Sequence, residues 1–288
     1  MPIDPAVAIG ADLGEVGFAW TSSDVLLYHL ALGAGADPVD ERELRYTTER
    51  DLRVIPTFAT VAANLRVFDP PAVSFPGVEI DLAKVLHGKQ EIELHRPIPV
   101  EGKAVARSRI ADVFDKGKAA VVVQETAVTG EDGSPLWTAR SSIFARGEGG
   151  FGGERGPSDR VEWPDRAPDA VLDTPTLPQQ ALLYRLCGDR NPLHSDPEFA
   201  RAAGFDRPIL HGLCTYGVVA KSVIDAFLDG DPGRVRSFGT KFAGVVFPGE
   251  TLRTRVWRED DRLLVTTTAP ERDDAPVLAD TVLVPTSA

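Results

Sequence analysis

A segment near the start of the chain returns in its second half. Leu26-Leu27-Tyr28-His29-Leu30 is echoed by Leu182-Leu183-Tyr184-Arg185-Leu186. The first is followed by Gly33-Ala34-Gly35-Ala36-Asp37-Pro38, the second by Gly188-Asp189-Arg190-Asn191-Pro192. Further on, Arg96-Pro97-Ile98-Pro99-Val100-Glu101-Gly102 is echoed by Val246-Phe247-Pro248-Gly249-Glu250. Two echoes in the same order at similar offsets point to one internal duplication with small insertions. A chain of 288 residues is long enough for two units of ordinary domain size. With 43% hydrophobic residues it can give each unit a core.

Both halves carry the same succession of patterns. A short helix comes first. An apolar helical segment follows, expected over Phe58 to Phe68 in the first half and Leu213 to Leu228 in the second. In the second, apolar side chains fall at 213, 216, 220, 223, 224 and 227, the spacing of one helix face. Each helix precedes a run of strands rich in β-branched residues. In the first half these are Gln90 to Leu94, Ala104 to Phe114, Ala119 to Thr129 and Leu136 to Ala145, with turns at Asp115-Lys116-Gly117 and Asp132-Gly133. In the second they are Ser237 to Phe242, Thr251 to Glu259, Leu263 to Ala269 and Val277 to Val284. One helix before an antiparallel meander suggests a sheet wrapped around a helix. Two such units can join their sheets edge to edge and so cover exposed strands.

Between the halves, periodicity is lost from Gly147 to Pro178. We expect a linker at 147–178, separating units at 1–146 and 179–288. Its Gly-rich opening, Gly149-Gly150-Phe151-Gly152-Gly153, lacks a following Lys-Ser/Thr and a helical pattern, which argues against a phosphate loop. The net charge of −12 makes nucleic acid an unexpected partner. No apolar run is long enough for a membrane span. The N-terminus lacks the basic start and apolar run of a leader, and Pro285-Thr286-Ser287-Ala288 is not a peroxisomal address. The two cysteines, Cys187 and Cys214, make no disulfide framework and read as small buried apolar residues, so a cytoplasmic setting is expected.

The chemistry concentrates in Tyr184-Arg185-Leu186-Cys187-Gly188-Asp189-Arg190-Asn191-Pro192-Leu193-His194. Gly, Asp, Asn and Pro here favour a tight turn, in which Asp189 and His194 can converge on one small volume. A carboxylate and an imidazole flanking a water suit hydration: the water must lose a proton as it attacks, and the neighbouring carbon must gain one. An imidazole with an ordinary pKa of about 6.5 is readily tuned for that work. Asn191 can fix an orientation by hydrogen bonding. His211-Gly212-Leu213 then opens the second apolar helix. The glycine allows close approach to the backbone, and a helix N-terminus offers free N–H groups to a negative oxygen. Blander readings exist: Asp189 as a turn cap, His194 as a core histidine, Tyr184 as a core or loop anchor. No His or Cys stands at ligand spacing from His194 or His211, so no metal is expected. No Gly-x-Ser-x-Gly elbow occurs.

Asp189-Arg190-Asn191-Pro192-Leu193-His194, with Phe199-Ala200 and His211-Gly212, resembles the MaoC-like, hydratase 2 signature. Leu86-His87-Gly88-Lys89-Gln90, Asp115-Lys116-Gly117 and the Gly-rich segment resemble the first half of eukaryotic-type 2-enoyl-CoA hydratase 2. The resemblance runs over roughly residues 15–285. It implies an α+β double hotdog fold, no cofactor, and syn hydration of a trans-2-enoyl-CoA to the (3R)-3-hydroxyacyl-CoA in fatty-acid or sterol side-chain β-oxidation. It implies that Asp189 and His194 hold the water, that Asn191 supports them and that Gly212 supplies the oxyanion N–H. It also implies that His87, Gly88, Lys116, Arg190 and Phe242 contact the acyl-CoA, and that the protein is a homodimer. Lys89 departs from the commoner acidic residue after His-Gly. In the first half Ala36-Asp37-Pro38 stands where Asp-x-Asn-Pro would be, with no matching His, so that half reads as the degenerate copy, making room for an acyl chain. Three alternatives share the chemistry or the ligand: a dehydratase acting on an acyl carrier protein, a hotdog thioesterase, and a catalytically inactive thioester-binding subunit.

Overall fold

The β-branched runs become strands almost where their alternation places them. The computed structural model describes residues 3–67, 74–80, 85–157 and 160–286. In chain order its first half holds α1 (Pro5–Ala8), β1 (Asp12–Trp20), α2 (Ser22–Ala31), α3 (Glu41–Thr47), the small hairpin β2 (Ser74–Phe75) and β3 (Val78–Glu79), then β4 (Val85–Leu94), β5 (Gly102–Asp115), β6 (Ala119–Gly130) and β7 (Pro135–Arg146). The second half holds β8 (Ala170–Pro175), α4 (Gln180–Tyr184), α5 (Pro197–Ala202), α6 (Gly212–Phe227), β9 (Val235–Phe242), β10 (Thr251–Arg258), β11 (Leu263–Ala269) and β12 (Ala275–Pro285).

Ten strands form one antiparallel sheet in the order β1-β5-β6-β7-β4-β9-β12-β11-β10-β8. Read outward from the middle, the two sides match: β4 with β9, β7 with β12, β6 with β11, β5 with β10, β1 with β8. The duplication seen in the chain is therefore the symmetry of the sheet. The halves meet where β4 pairs with β9, with Gln90 opposite Thr240 and Ile92 opposite Phe238. Each sheet edge that would otherwise be open is closed by the other at this seam. Tyr28 of α2 and Tyr184 of α4, the matched tyrosines of the first echo, pack ring to ring 6.1 Å apart.

The sheet curves around α6. Cys214, Tyr216, Val219, Val223 and Ile224 are all at most 1% exposed. Tyr216 stacks on Phe238 and donates its hydroxyl to the Phe238 carbonyl, so the helix is fixed by packing and by a satisfied polar group. None of the described helices is long and apolar enough to cross a membrane.

Three expectations need correction. The helical segment expected over Phe58 to Phe68 is not an α-helix. It is two short 3₁₀ turns, Pro56–Thr60 and Ala62–Asn64, and Phe68 lies outside the described residues. Over two turns, apolar spacing fits either helix, and here Thr60 turns its hydroxyl back onto the Thr57 carbonyl, a local bond that competes with the α-helical ladder. Second, β1 was not anticipated. Third, β8 lies inside the segment expected to be linker and pairs with β10 from Thr251 opposite Pro175 to Val256 opposite Ala170. Both are edge strands. Largely exposed, they need no apolar run, and Pro175 is tolerated at an edge because no ladder bond is lost. The Gly-rich piece folds back onto the β5–β6 turn, where Asp115 accepts hydrogen bonds from the Gly117, Gly150 and Gly152 amides. A Cβ at Gly149 would lie 2.6 Å from the Ala119 nitrogen, so close approach explains a glycine there.

One ion-pair cluster ties the halves through their helices. Lys221 of α6 contacts Glu43 of α3 at 2.5 Å and Asp225 at 2.8 Å, and Tyr46 donates to Asp225 at 2.8 Å. Removing the cation leaves two carboxylates facing each other in a mostly buried place. Lys221→Ala is expected to lower unfolding stability by about 3 kcal/mol, measured by chemical denaturation. A change under about 0.5 kcal/mol would mean the cluster is no more than an exposed surface pair.

Candidate active site

The short 3₁₀ turn Pro192–His194 opens the site. Proline starts it, and Asn191 caps it by accepting the Leu193 amide at 3.0 Å. Asp189 accepts the Asn191 amide at 3.1 Å. Ahead of them Gly188 takes φ +112°, and a Cβ there would meet the Asn64 carbonyl oxygen at 2.1 Å. Glycine is thus required both by backbone angle and by space, and it lets the loop turn sharply before Asp189.

The turn carries His194 back beside Asp189 and under the start of α6. Its Nδ1 lies 2.9 Å from the Ile209 carbonyl. A carbonyl only accepts, so Nδ1 carries the hydrogen and the neutral ring keeps Nε2 as a bare acceptor. His194 is 9% exposed. Burial lowers its pKa below the usual histidine value, while the Asp189 charge and the bond to Ile209 pull the other way.

A second imidazole joins them. His211, the residue before α6, stacks on His194 with ring centroids 3.8 Å apart and planes 31° from parallel. Its Nε2 lies 3.4 Å from the Asp189 backbone carbonyl, and its ring meets that of Tyr184 at 4.9 Å. Burial, then the neighbouring His194, hold its pKa well below the usual value. Ligand atoms of Asp189, His194 and His211 all lie within 4.8 Å of one another. The trio has the donor types of a metal site.

Gly212 is the first residue of α6, and no side chain caps that end. Its amide is among those a helix leaves without an intrahelical acceptor. A Cβ on Gly212 would sit 3.1 Å from the Phe242 ring. Phe242, from β9, packs in turn on His87 of β4 at 4.7 Å. His87 is half-buried, its Nε2 bonded to the Lys89 carbonyl at 3.1 Å, and desolvation brings its pKa down to about 4. Gly88 is the bulge residue between His87 and Lys89, where a Cβ would approach the Ser142 carbonyl at 3.3 Å.

Asp189, His194, Gly212, His87 and Phe242 are therefore brought to one place. Asn191 caps the Pro192–His194 turn with its side chain and donates its backbone amide to Asp189, while among the described residues its side chain bonds to neither Asp189 nor His194. Arg190 is half-buried beside them, its charge felt at the Cys187 thiol. Lys116 stays in the β5–β6 turn. Its ammonium bonds to the Arg155 carbonyl and reaches the Pro157 carbonyl at 3.5 Å, with no hydrogen bond among the described residues to the Asp189–His194 loop. Sequence reasoning missed the stack: His211 was noticed as the residue before Gly212, and nothing in its spacing announces that it lies on His194.

Residues 18–147 match the MFE-2 hydratase 2 N-terminal domain, and residues 160–274 match the MaoC-like domain. The chain is 57% identical over 99% of its length to the enoyl-CoA hydratase ChsH3 of Mycobacterium tuberculosis, covering all of that protein. The chain belongs to the MaoC-like, hydratase 2 family. A second M. tuberculosis relative, 3-hydroxyacyl-thioester dehydratase Y, is 42% identical over 90% of this chain and 89% of its own. Among solved structures, a MaoC-like dehydratase from Phytophthora capsici superposes with a TM-score of 0.89 at 29% identity, covering 99% of this chain and 98% of that one. The matched sheet halves around one long helix are those of a double hotdog.

The glycine at 188 yields a direct test of this geometry. Gly188→Ala is expected to cost about 2–4 kcal/mol of stability, through the positive φ and the clash with Asn64, and to reduce activity by displacing Asp189. Thermal melts together with steady-state rates check it. A fully stable, fully active variant would show that the loop is not built as described.

Proposed function

We propose that this chain adds water to trans-2-enoyl-CoA to give the (3R)-3-hydroxyacyl-CoA, with Asp189 and His194 as its acid–base pair. The observation that carries the reading is the convergence of the Asp189 carboxylate and the His194 imidazole at the uncapped start of α6. Family membership supports it, since relatives across nearly the whole chain bear the name enoyl-CoA hydratase.

The chemistry follows from the protonation states. His194, with Nδ1–H held by Ile209, has Nε2 free to accept a proton from water as its oxygen bonds to C3 of the enoyl group. The Asp189 carboxylate accepts the other hydrogen and orients the water. As the C3–O bond forms, the C2=C3 electrons move toward the thioester carbonyl, and its oxygen gains negative charge. The Gly212 amide at the helix N-terminus suits that charge. Return of the proton from the imidazolium to C2 completes the addition. Both hydrogens of the water are accounted for: one stays on the new hydroxyl, one ends on C2. Delivery from one side gives syn addition. His87, Gly88 and Phe242, from the seam of the sheet, flank the acyl-CoA in this reading, with Arg190 nearer its polar end.

The same groups run in reverse dehydrate a 3-hydroxyacyl thioester, and the relative named 3-hydroxyacyl-thioester dehydratase Y favours keeping that reading. Matched CoA and acyl-carrier-protein thioesters, assayed side by side in both directions, separate the two. The intact acid–base pair weighs against a merely thioester-binding subunit.

Two outcomes test the assignment. Asp189→Asn and His194→Gln are each expected to lower kcat for crotonyl-CoA hydration by at least about 100-fold, with binding of a saturated acyl-CoA retained. Parental rates in both would end the assignment. The pH profile is a second check. Neutral His194 is the working base, and burial holds its pKa below the ordinary value. Activity should therefore persist on acidification and fall only below about pH 6.5, the ordinary histidine value. An acid limb above that value would contradict the buried, neutral base.

A further inference from the structure

We infer that His211 is a positioning residue for the acid–base pair: stacked on His194 and bonded to the Asp189 carbonyl, it fixes the two groups against each other. This inference rests on the hydratase reading. His194 is tethered by one hydrogen bond, from Nδ1 to Ile209. A ring held by one bond still swings about that bond's axis, which would sweep Nε2 away from the water. The His211 ring 3.8 Å away occupies one face of His194 and removes that freedom.

His211 is itself held firmly. Tyr184 packs against it, ring centroids 4.9 Å apart. Its carbonyl accepts the Cys214 and Thr215 amides at 3.1 and 3.2 Å, so its backbone belongs to the first turn of α6. Its Nε2–H reaches the Asp189 carbonyl, and the next residue in the chain is Gly212. One side chain thus ties together the loop of the carboxylate, the ring of the base and the helix end.

A detail of its burial points the same way. His211 is 1% exposed, and among the described residues its Nδ1 has no hydrogen-bond partner. An orphaned buried acceptor costs on the order of 1 kcal/mol or more, and a phenyl ring would fill the space without it. An imidazole kept at a site where an apolar ring would be more stable is a local concession of stability, the kind that functional sites show. What the imidazole adds over phenyl is the bond to Asp189.

The experiment compares wild type, Asp189→Asn, His211→Ala and His211→Phe in crotonyl-CoA hydration across pH, with circular dichroism and saturated acyl-CoA binding as checks of folding. His211→Ala should lose about 30- to 100-fold in kcat with KM changed less than about twofold, since misplacement costs rate rather than binding. His211→Phe, which restores the stack, should recover at least about tenfold of that loss. The acid limb of kcat should move to higher pH in the alanine variant, because water reaching His194 relieves the burial that disfavours its cation, and should stay in place in the phenylalanine variant. The charged and titratable groups facing the two rings are Asp189, Arg185 and Tyr184. Wild-type kcat in His211→Ala, or equal loss in both variants with KM raised, would overturn the positioning role. If His211→Ala fails to fold, histidine ¹⁵N NMR of wild type decides. The Nε2–H tautomer on His211 and Nδ1–H on His194 support the inference, and Nδ1–H on His211 overturns it. A wild type that does not hydrate crotonyl-CoA sinks the hydratase reading; an active wild type with an indifferent His211 sinks only this inference.

Discussion

The pairing of β4 with β9 is the contact on which the candidate site depends. It is the only place where the strands of the two halves meet in the ten-stranded sheet. His87 stands on one side of that seam and Phe242 on the other, and their rings pack at 4.7 Å. Phe242 then lies against Gly212, at the start of the second-half helix. The helix that opens the candidate site, from one repeat, is thereby furnished with a wall from the other. Neither half holds the complete arrangement, even though Asp189, His194, His211 and Gly212 all come from the second.

Much of this was legible in the residues, for identifiable reasons. Eight central strands follow β-branched runs because both faces or one face of each is buried, and burial imposes a periodicity that can be read. Helix α6 shows its spacing because it is enclosed by sheet and must be apolar where it touches it. The edge strands β1 and β8 left little trace because an edge is largely solvated: no residue of β8 and only Trp20 of β1 is buried, so few positions must be apolar. The first-half turns at Pro56–Asn64 misled for the opposite reason. Buried over most of their length, they show apolar residues at spacings that do not distinguish a tight turn from a regular helix.

The site divides in the same way. Asp189 and His194 were readable because a turn of Gly, Asp, Asn and Pro leaves few conformations, so nearness in the chain meant nearness in space. Gly212 was readable because a glycine after a histidine at a helix start has few other reasons to be there. The His194–His211 stack was not readable. It depends on how the Pro192–His194 turn docks under α6, a long-range matter of packing that local spacing does not encode. Lys116 shows the limit of transferring a role by position alone. Its turn is where the resemblance puts it, but its ammonium is engaged with the carbonyls of Arg155 and Pro157, just beyond the Gly-rich segment.

The unequal fate of the two repeats follows from the physics of short helices. Where the second half has the sixteen-residue α6, the first has 3₁₀ turns of five and three residues. A long α-helix aligns many peptide dipoles and ends in several unpaired N–H groups, so its N-terminus can stabilise developing negative charge. Two separate 3₁₀ turns sum few dipoles and aim them in different directions. An acid–base pair placed beside the first-half turns would lack a partner for a negative carbonyl oxygen, whatever its own geometry. The first half has neither the long helix nor an Asp-x-Asn-Pro-x-His turn, and what it brings to the site is the seam, through His87 and the bulge at Gly88.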